Sequence, residues 1–248
     1  MDRLIFTAAS GMTAAMNRQR VIASNMANSQ TTGFRAETLQ STPMTLDGPQ
    51  LQVRSMNQTQ VKGADMKAGT LVQTGHGLDV AMQGDTMLAV QTPDGGEGYT
   101  RRGDLGISAT GLLQNGDGLP VLGQNGPITV PVGQKITISE DGSVMASNPS
   151  TPSEPPTEVD RLKLVNYAGT QIEKDLTGIF RVPNGGILPV DDTAKVTVGA
   201  LEGSNVKPTE VMVEMVEAQR SFDMRTKLIA TARELDEGGA SLMRISPS

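Results

Sequence analysis

Few side chains in this sequence are suited to chemistry. His76 is the only histidine; it stands between Gly75 and Gly77 with no carboxylate cluster nearby, which describes a loop imidazole better than a general base. Asn115, Asp117 and their flanking glycines have a faint look of a calcium loop. The later ligands and the closing bidentate Glu are missing, so a tight turn is the better account. Asp104 and Asp117 could be offered as hydrolytic carboxylates, but nothing in their spacing recommends it. Asp191 and Asp192 would point to opposite faces of a strand, and in a loop they would be solvated. Gly75-x-Gly77 and Gly116-x-Gly118 lack the third glycine and following helix of a phosphate or dinucleotide loop. Cysteine is absent, which removes thiolate chemistry, disulfides and Cys-ligated metal. The sequence thus offers no catalytic residue, no cofactor site and no metal site, and it does not read as an enzyme.

Composition narrows the partners. Aromatic residues make up 2% of the chain, too few for the stacking platforms of a single-strand binder. A net charge of -6 argues against a phosphate-neutralising surface, so nucleic acid is not expected. The N-terminus, MDRLIFTAASGM, lacks a basic region followed by an apolar run, and no apolar segment is long enough to span a bilayer. The expectation is a chain without a cleaved signal peptide that does not cross a membrane.

The elements that organise the chain lie at its ends. From Pro208 to Leu242 the apolar residues Val211, Met215, Ala218, Phe222, Ile229 and Ala232 recur at steps of three, four or seven, and Leu228, Leu235 and Leu242 form a second row. Pro208 suits a first helical turn, and Glu210, Glu214 and Glu217 crowd the positive end of the helix dipole. Such a helix would be roughly 50 Å long and needs a partner. Near the N-terminus Ile5, Ala8, Met12, Ala15, Ile22 and Met26 form a second stripe, broken at Gln19 and widened by Leu4 and Val21. Both stripes are rich in Ala and Met, so the helices could approach closely without a strongly fixed register. Two glycines, Gly238 and Gly239, weaken the last turns by about 1 kcal/mol each.

Between the ends the pattern changes. Residues 36–75 show no sustained period and read as an extended connector. From His76 onward short apolar runs such as Leu78–Met82, Met87–Gln91, Leu105–Ile107 and Val196–Val198 alternate with turn signals, as expected of an all-β domain. Asn115-Gly116-Asp117-Gly118 and Glu140-Asp141-Gly142-Ser143 read as hairpin turns. The expected organisation is an N-terminal helix in 1–35, a connector in 36–75, a β domain in 76–200 and a C-terminal helix in 201–248. The fold class is α+β: a mainly β central domain, an irregular Gly-rich barrel or sandwich, flanked by terminal helices that pair as a coiled coil.

Three stretches are familiar. Ser24-Asn25-Met26-Ala27-Asn28-Ser29-Gln30-Thr31-Thr32-Gly33-Phe34-Arg35 resembles the N-terminal signature of bacterial flagellar rod and hook proteins, departing mildly at Ser24, Met26 and Arg35. Leu201-Glu202-Gly203-Ser204-Asn205-Val206, followed by Gln219-Arg220-Ser221-Phe222, resembles their C-terminal signature. Tyr99-Thr100-Arg101-Arg102-Gly103-Asp104 resembles part of their central β domain. Within the family, Leu78 to Asp85 and the Gly203–Pro208 junction look most like a proximal-rod member, with a distal-rod member the rival. The resemblance implies a self-assembling subunit of the flagellar drive-shaft, partnered by other rod subunits, exported by the flagellar type III apparatus and placed in the periplasmic basal body. It also implies an assembly interface on the helical stripes and the signatures: Ile5, Met12, Ala15, Ile22, Met26, Asn28, Gly33, Phe34, Asn205, Val211, Met215, Ala218, Phe222, Leu228, Ile229 and Leu235. The alternative from another class is a non-catalytic β binding module oligomerised by its helices.

Overall fold

The computed structural model describes residues 2–45, 55–149, 154–175 and 177–244. It divides into two units. One gathers the segment ending at Ala27, Glu37–Gly63 and the segment from Lys207 onward; the other gathers Asn28–Ala36 and Ala64–Val206. Residues 28–36, 64–75 and 201–206 fold with the β unit, held there by buried polar contacts set out below.

In the helical unit, α1 spans Asp2–Ala27 and α2 spans Pro208–Arg244. Pro208 opens α2, where a missing N–H costs nothing, and Glu210 lies in its first turn. The helices pack on each other. Gln19 lies opposite Gln219, their amides 3.4 Å apart, and Arg225 donates to the Gly11 carbonyl. The pairing is therefore antiparallel. Ala15, Val21 and Ile22 of α1 are buried, as are Val211 and Ala218 of α2, one heptad apart. The helix α2 continues through both glycines to Arg244, so their intrinsic cost does not end it. Glu37–Thr45 and Ser55–Ala64 pair in a two-stranded sheet within the stretch that shows no period in the sequence. Leu71–Gln73 is also a strand, paired antiparallel with Ala200–Glu202. All three of its residues are exposed, so no apolar alternation marks it.

The β unit is built of small sheets. Among the described residues none closes into a barrel, in place of the barrel or sandwich expected. The largest is five-stranded and antiparallel, in the order Leu164–Asn166, Thr86–Gln91, Glu97–Thr100, Phe180–Arg181, Glu173–Lys174. A three-stranded sheet joins Lys135–Ile138, Ser143–Ser147 and Thr157–Arg161. Thr86–Gln91 is the centre of the core because both its faces are covered. Leu88 and Val90 join one cluster with Val80, Leu113, Val121 and Ile128, while Met87 and Ala89 join another with Tyr99, Val165, Phe180 and Leu188. A strand buried on two faces reads as a continuous apolar run, and TMLAV does.

Tyr99 is fully buried, and its hydroxyl accepts the Leu188 N–H at 2.7 Å. Burial pushes that hydroxyl up from 10.0 to about 12. An acid whose folded value is raised contributes stability that is complete below its unfolded value and lost as pH rises toward the folded one. The β unit is expected to lose about 2–3 kcal/mol of stability over that alkaline window. Tyr99→Phe should lose clearly less, as urea unfolding at stepped pH would read.

Candidate functional site

The side chains with chemical potential are placed in structural roles. Arg102 holds both carboxylates offered as a hydrolytic pair, with Nε on Asp104 at 2.8 Å and Nη1 on Asp117 at 2.5 Å. Asp104 in turn raises the Arg102 guanidinium above its ordinary value. Asp191 accepts from the Thr193 hydroxyl and N–H, which hold its carboxyl below the usual range. Asn115 accepts from the Asp117 and Leu119 N–H groups and so closes its turn. His76 is exposed, but a carboxylate does stand beside it: Asp79 lies 3.6 Å from Nδ1. Among the described residues no cluster of His, Asp or Glu could hold a metal ion.

The most demanding polar arrangement lies elsewhere, among residues not singled out from the sequence. Glu202 is 2% exposed and sits between two equally buried arginines. One carboxylate oxygen meets Arg35 Nη2 at 2.7 Å, and the other meets Arg101 Nη2 at 2.6 Å. Arg101 also donates Nε to that second oxygen at 2.8 Å and spends its other donors on the carbonyls of Gly84, Thr86 and Met82. Gly69 N–H completes the first oxygen's shell at 2.8 Å. The cluster carries two cations to one anion, and the carbonyl dipoles around Arg101 spread the excess.

Around this cluster the family-like segments converge. Asn205 accepts from Ala36 N–H at 2.7 Å and donates to the Asp65 and Lys67 carbonyls at 2.6 and 3.0 Å. It thereby ties together the three stretches by which the chain enters and leaves the β unit. Gly33 donates to the Glu202 carbonyl at 2.7 Å. Its φ is +68°, and an added Cβ would stand 2.5 Å from the Arg101 carbonyl carbon, so only glycine fits there. Phe34 is buried, with the Lys174 ammonium 3.5 Å from its ring centroid and bonded to the Arg35 carbonyl at 2.8 Å. In the helical unit Asn25 bonds the Glu37 backbone in both directions, at 2.8 and 3.1 Å, as a strand partner would. Gly33, Phe34 and Asn205 all take part in these contacts, and the Asn28 carbonyl accepts Thr31 N–H at 3.1 Å. These contacts serve the chain's own fold. Arg35, Arg101 and Glu202 lie in the family-like stretches but were given no role, because charges this far apart announce no pairing; Asn25 was likewise given none.

The helical stripes divide. Ala15, Ile22, Val211 and Ala218 are buried, and Met12, Met26, Phe222 and Ile229 are half-buried. Met215 and Leu228 are instead 41% and 68% exposed. They join Met212, Val213, Val216 and Met224 on the uncovered side of α2. The side chains of Ile5 and Leu235 lie outside the described residues.

An amphipathic helix at each end of the chain and, between them in sequence, a β unit held by a polar clamp are the parts of a structural protein. The chain belongs to the flagellar basal-body rod family. Residues 5–35 match the family described as "Flagella basal body rod protein", residues 81–146 the "Flagellar hook protein FlgE/F/G D1 domain", and residues 197–242 the "Flagellar basal body rod FlgEFG protein C-terminal". It is similar to the flagellar basal-body rod protein FlgF of Salmonella typhimurium, at 42% identity over 97% of this chain and 98% of that one. FlgF of Escherichia coli is 41% identical over 93% and 94%. The rod protein FlgG of Bacillus subtilis is 30% identical over 98% and 100%.

Replacing Glu202 by Gln leaves two buried guanidiniums without an anion. The β unit is expected to lose about 3–5 kcal/mol, read as a lower urea midpoint; a loss within the range of an ordinary surface substitution would contradict the clamp.

Proposed function

We propose that the chain is a polymerising structural subunit of the flagellar basal-body rod, of the proximal FlgF-like kind. Its terminal helices, paired as a coiled coil, build the axial core, and subunits joined through them transmit torque as a drive-shaft. The partners are further copies and the other rod subunits. The route is export through the flagellar type III apparatus to the periplasmic part of the basal body.

The observation that carries this reading is the uncovered apolar face of α2. Val213, Met224 and Leu228 are 60%, 62% and 68% exposed, and contiguous exposed apolar surface of this kind marks an interaction site. The face lies opposite the one that α2 spends on α1, so a neighbour can cover it without opening the helix pair. A distal-rod assignment is the second reading, favoured by the 30% identity to FlgG across nearly the whole chain. The higher identity to FlgF supports the proximal one.

Met224→Asp tests the proposal. A carboxylate forced into a desolvated seam costs several kcal/mol, whereas on a solvated surface it is close to neutral. The variant is expected to melt as the parent does yet fail to enter the rod and fail to restore motility. Normal motility would count against this face. Phe222→Asp, by contrast, tests the half-buried side of α2 and should lower the monomer's own stability.

A further inference from the structure

The helix pair leaves a second stripe uncovered, on α1. Met16, Arg20, Ala23 and Ala27 are all exposed and recur at steps of four, three and four, so they share one face. Beyond Met16 the apolar members are alanines, and the surface is low. The uncovered face of α2 is the converse: Met212, Val213 and Val216 are all exposed and stand high. Charged side chains flank each face, Arg20 on α1 and Glu217 and Arg220 on α2. Arg20 and Glu217 are exposed, and neither makes an ion pair among the described residues.

The levels match as well. Gln19 lies beside Gln219 and Gly11 beside Arg225 in the antiparallel pair. Counting along both helices from these contacts puts Ala23 and Ala27 level with the turn Met212–Val216, and Arg20 level with Glu217. Both stripes therefore occupy the same end of the helix pair, on different surfaces.

We infer that the two stripes are the halves of one interface between copies of this chain. Met212, Val213 and Val216 of one copy seat on Ala23 and Ala27 of the copy beside it, and Arg20 of that copy pairs with Glu217 of the first. The occupant is a second copy standing alongside with little axial shift. Bulky side chains meet small ones, and a cation meets an anion at the same height. Arg220, three residues beyond Glu217, bears the same charge as Arg20, so the register is set by Glu217 and not by its neighbour. Because the two surfaces differ, the contact is heterologous and each added copy exposes the next half-site, as an open assembly requires.

This inference rests on the rod-subunit reading and specifies its lateral contact. The test is charge exchange in the full chain, scored by the amount of subunit recovered in purified basal bodies. Arg20→Glu and Glu217→Arg should each lower incorporation by about tenfold or more, since like charges facing across an interface are costly. The double variant should return it to within about threefold of the parent, the coupling that a double-mutant cycle detects. Single variants that incorporate as the parent does, or a double variant no better than the singles, overturn the pairing. Failure of the rod-subunit reading looks different, because the parent chain itself would then be missing from purified basal bodies. A second measurement covers variants that lose helicity. With Arg20→Cys and Glu217→Cys in one otherwise cysteine-free chain, mild oxidation of assembled rods should yield covalent multimers, and monomers alone would overturn the contact.

Discussion

The constraint on which the β unit depends is a single carboxylate. Glu202 is withdrawn from water between Arg35 and Arg101, and a buried charge so placed must keep its partners in place, because losing one leaves the other uncompensated. That requirement reaches into the sequence around it. Gly33 must lack a side chain so that its loop can lie against the Arg101–Arg102 peptide, and Gly69 must do so beside the Gly203 carbonyl, which an added Cβ would approach within 2.0 Å. Arg101 needs the carbonyls of Met82, Gly84 and Thr86, which fixes how the central strand begins. A buried ion pair adds little net stability compared with apolar packing, but a misplaced one is costly. The cluster therefore selects one arrangement of the segments that meet at it.

The two units divide the work between them. Inside the β unit polar groups are consumed locally: Arg102 takes Asp104 and Asp117, Lys163 takes Glu97, and Tyr99 takes the Leu188 amide. The helical unit is the opposite case. Its α1–α2 contact buries small residues, Ala15 and Ala218 among them, and an Ala-rich seam removes less apolar area from water than a Leu or Ile seam would. Phe222 and Ile229 are half-buried, but Met212, Val213, Val216, Met224 and Leu228 of α2 stay in solvent. A helix that keeps bulky apolar residues on the outside is stabilised further when something covers them.

Local patterns were legible in the sequence; long-range ones were not. The strands Leu105–Ile107 and Val196–Val198 have the limits their apolar runs suggest, and the terminal helices follow from period and polarity. The ribbon of Glu37–Thr45 and Ser55–Ala64 was not legible, because its sequence carries no alternation of apolar and polar residues. The Arg35–Glu202 pair spans 167 residues, and nothing local distinguishes either partner from a solvated charge. Asn25 could have been found, since an Asn at the end of a helix and just before a turn is a natural backbone mimic. Met215 and Leu228 were placed on the stripe by spacing alone. Which side of a two-stripe helix faces its own chain and which faces outward is decided by tertiary packing.

The most direct measurement exploits the absence of cysteine from the chain. A single Val213→Cys substitution places one thiol on the outward face of α2, where the native side chain is 60% exposed. Its maleimide labelling rate is then compared in the free subunit and in purified basal bodies, at the same pH. The account predicts rapid labelling of the free subunit and strong protection in the basal body, because a neighbouring subunit covers this face. Equal labelling rates in the two states, with the subunit shown to be present in the basal body, would contradict it.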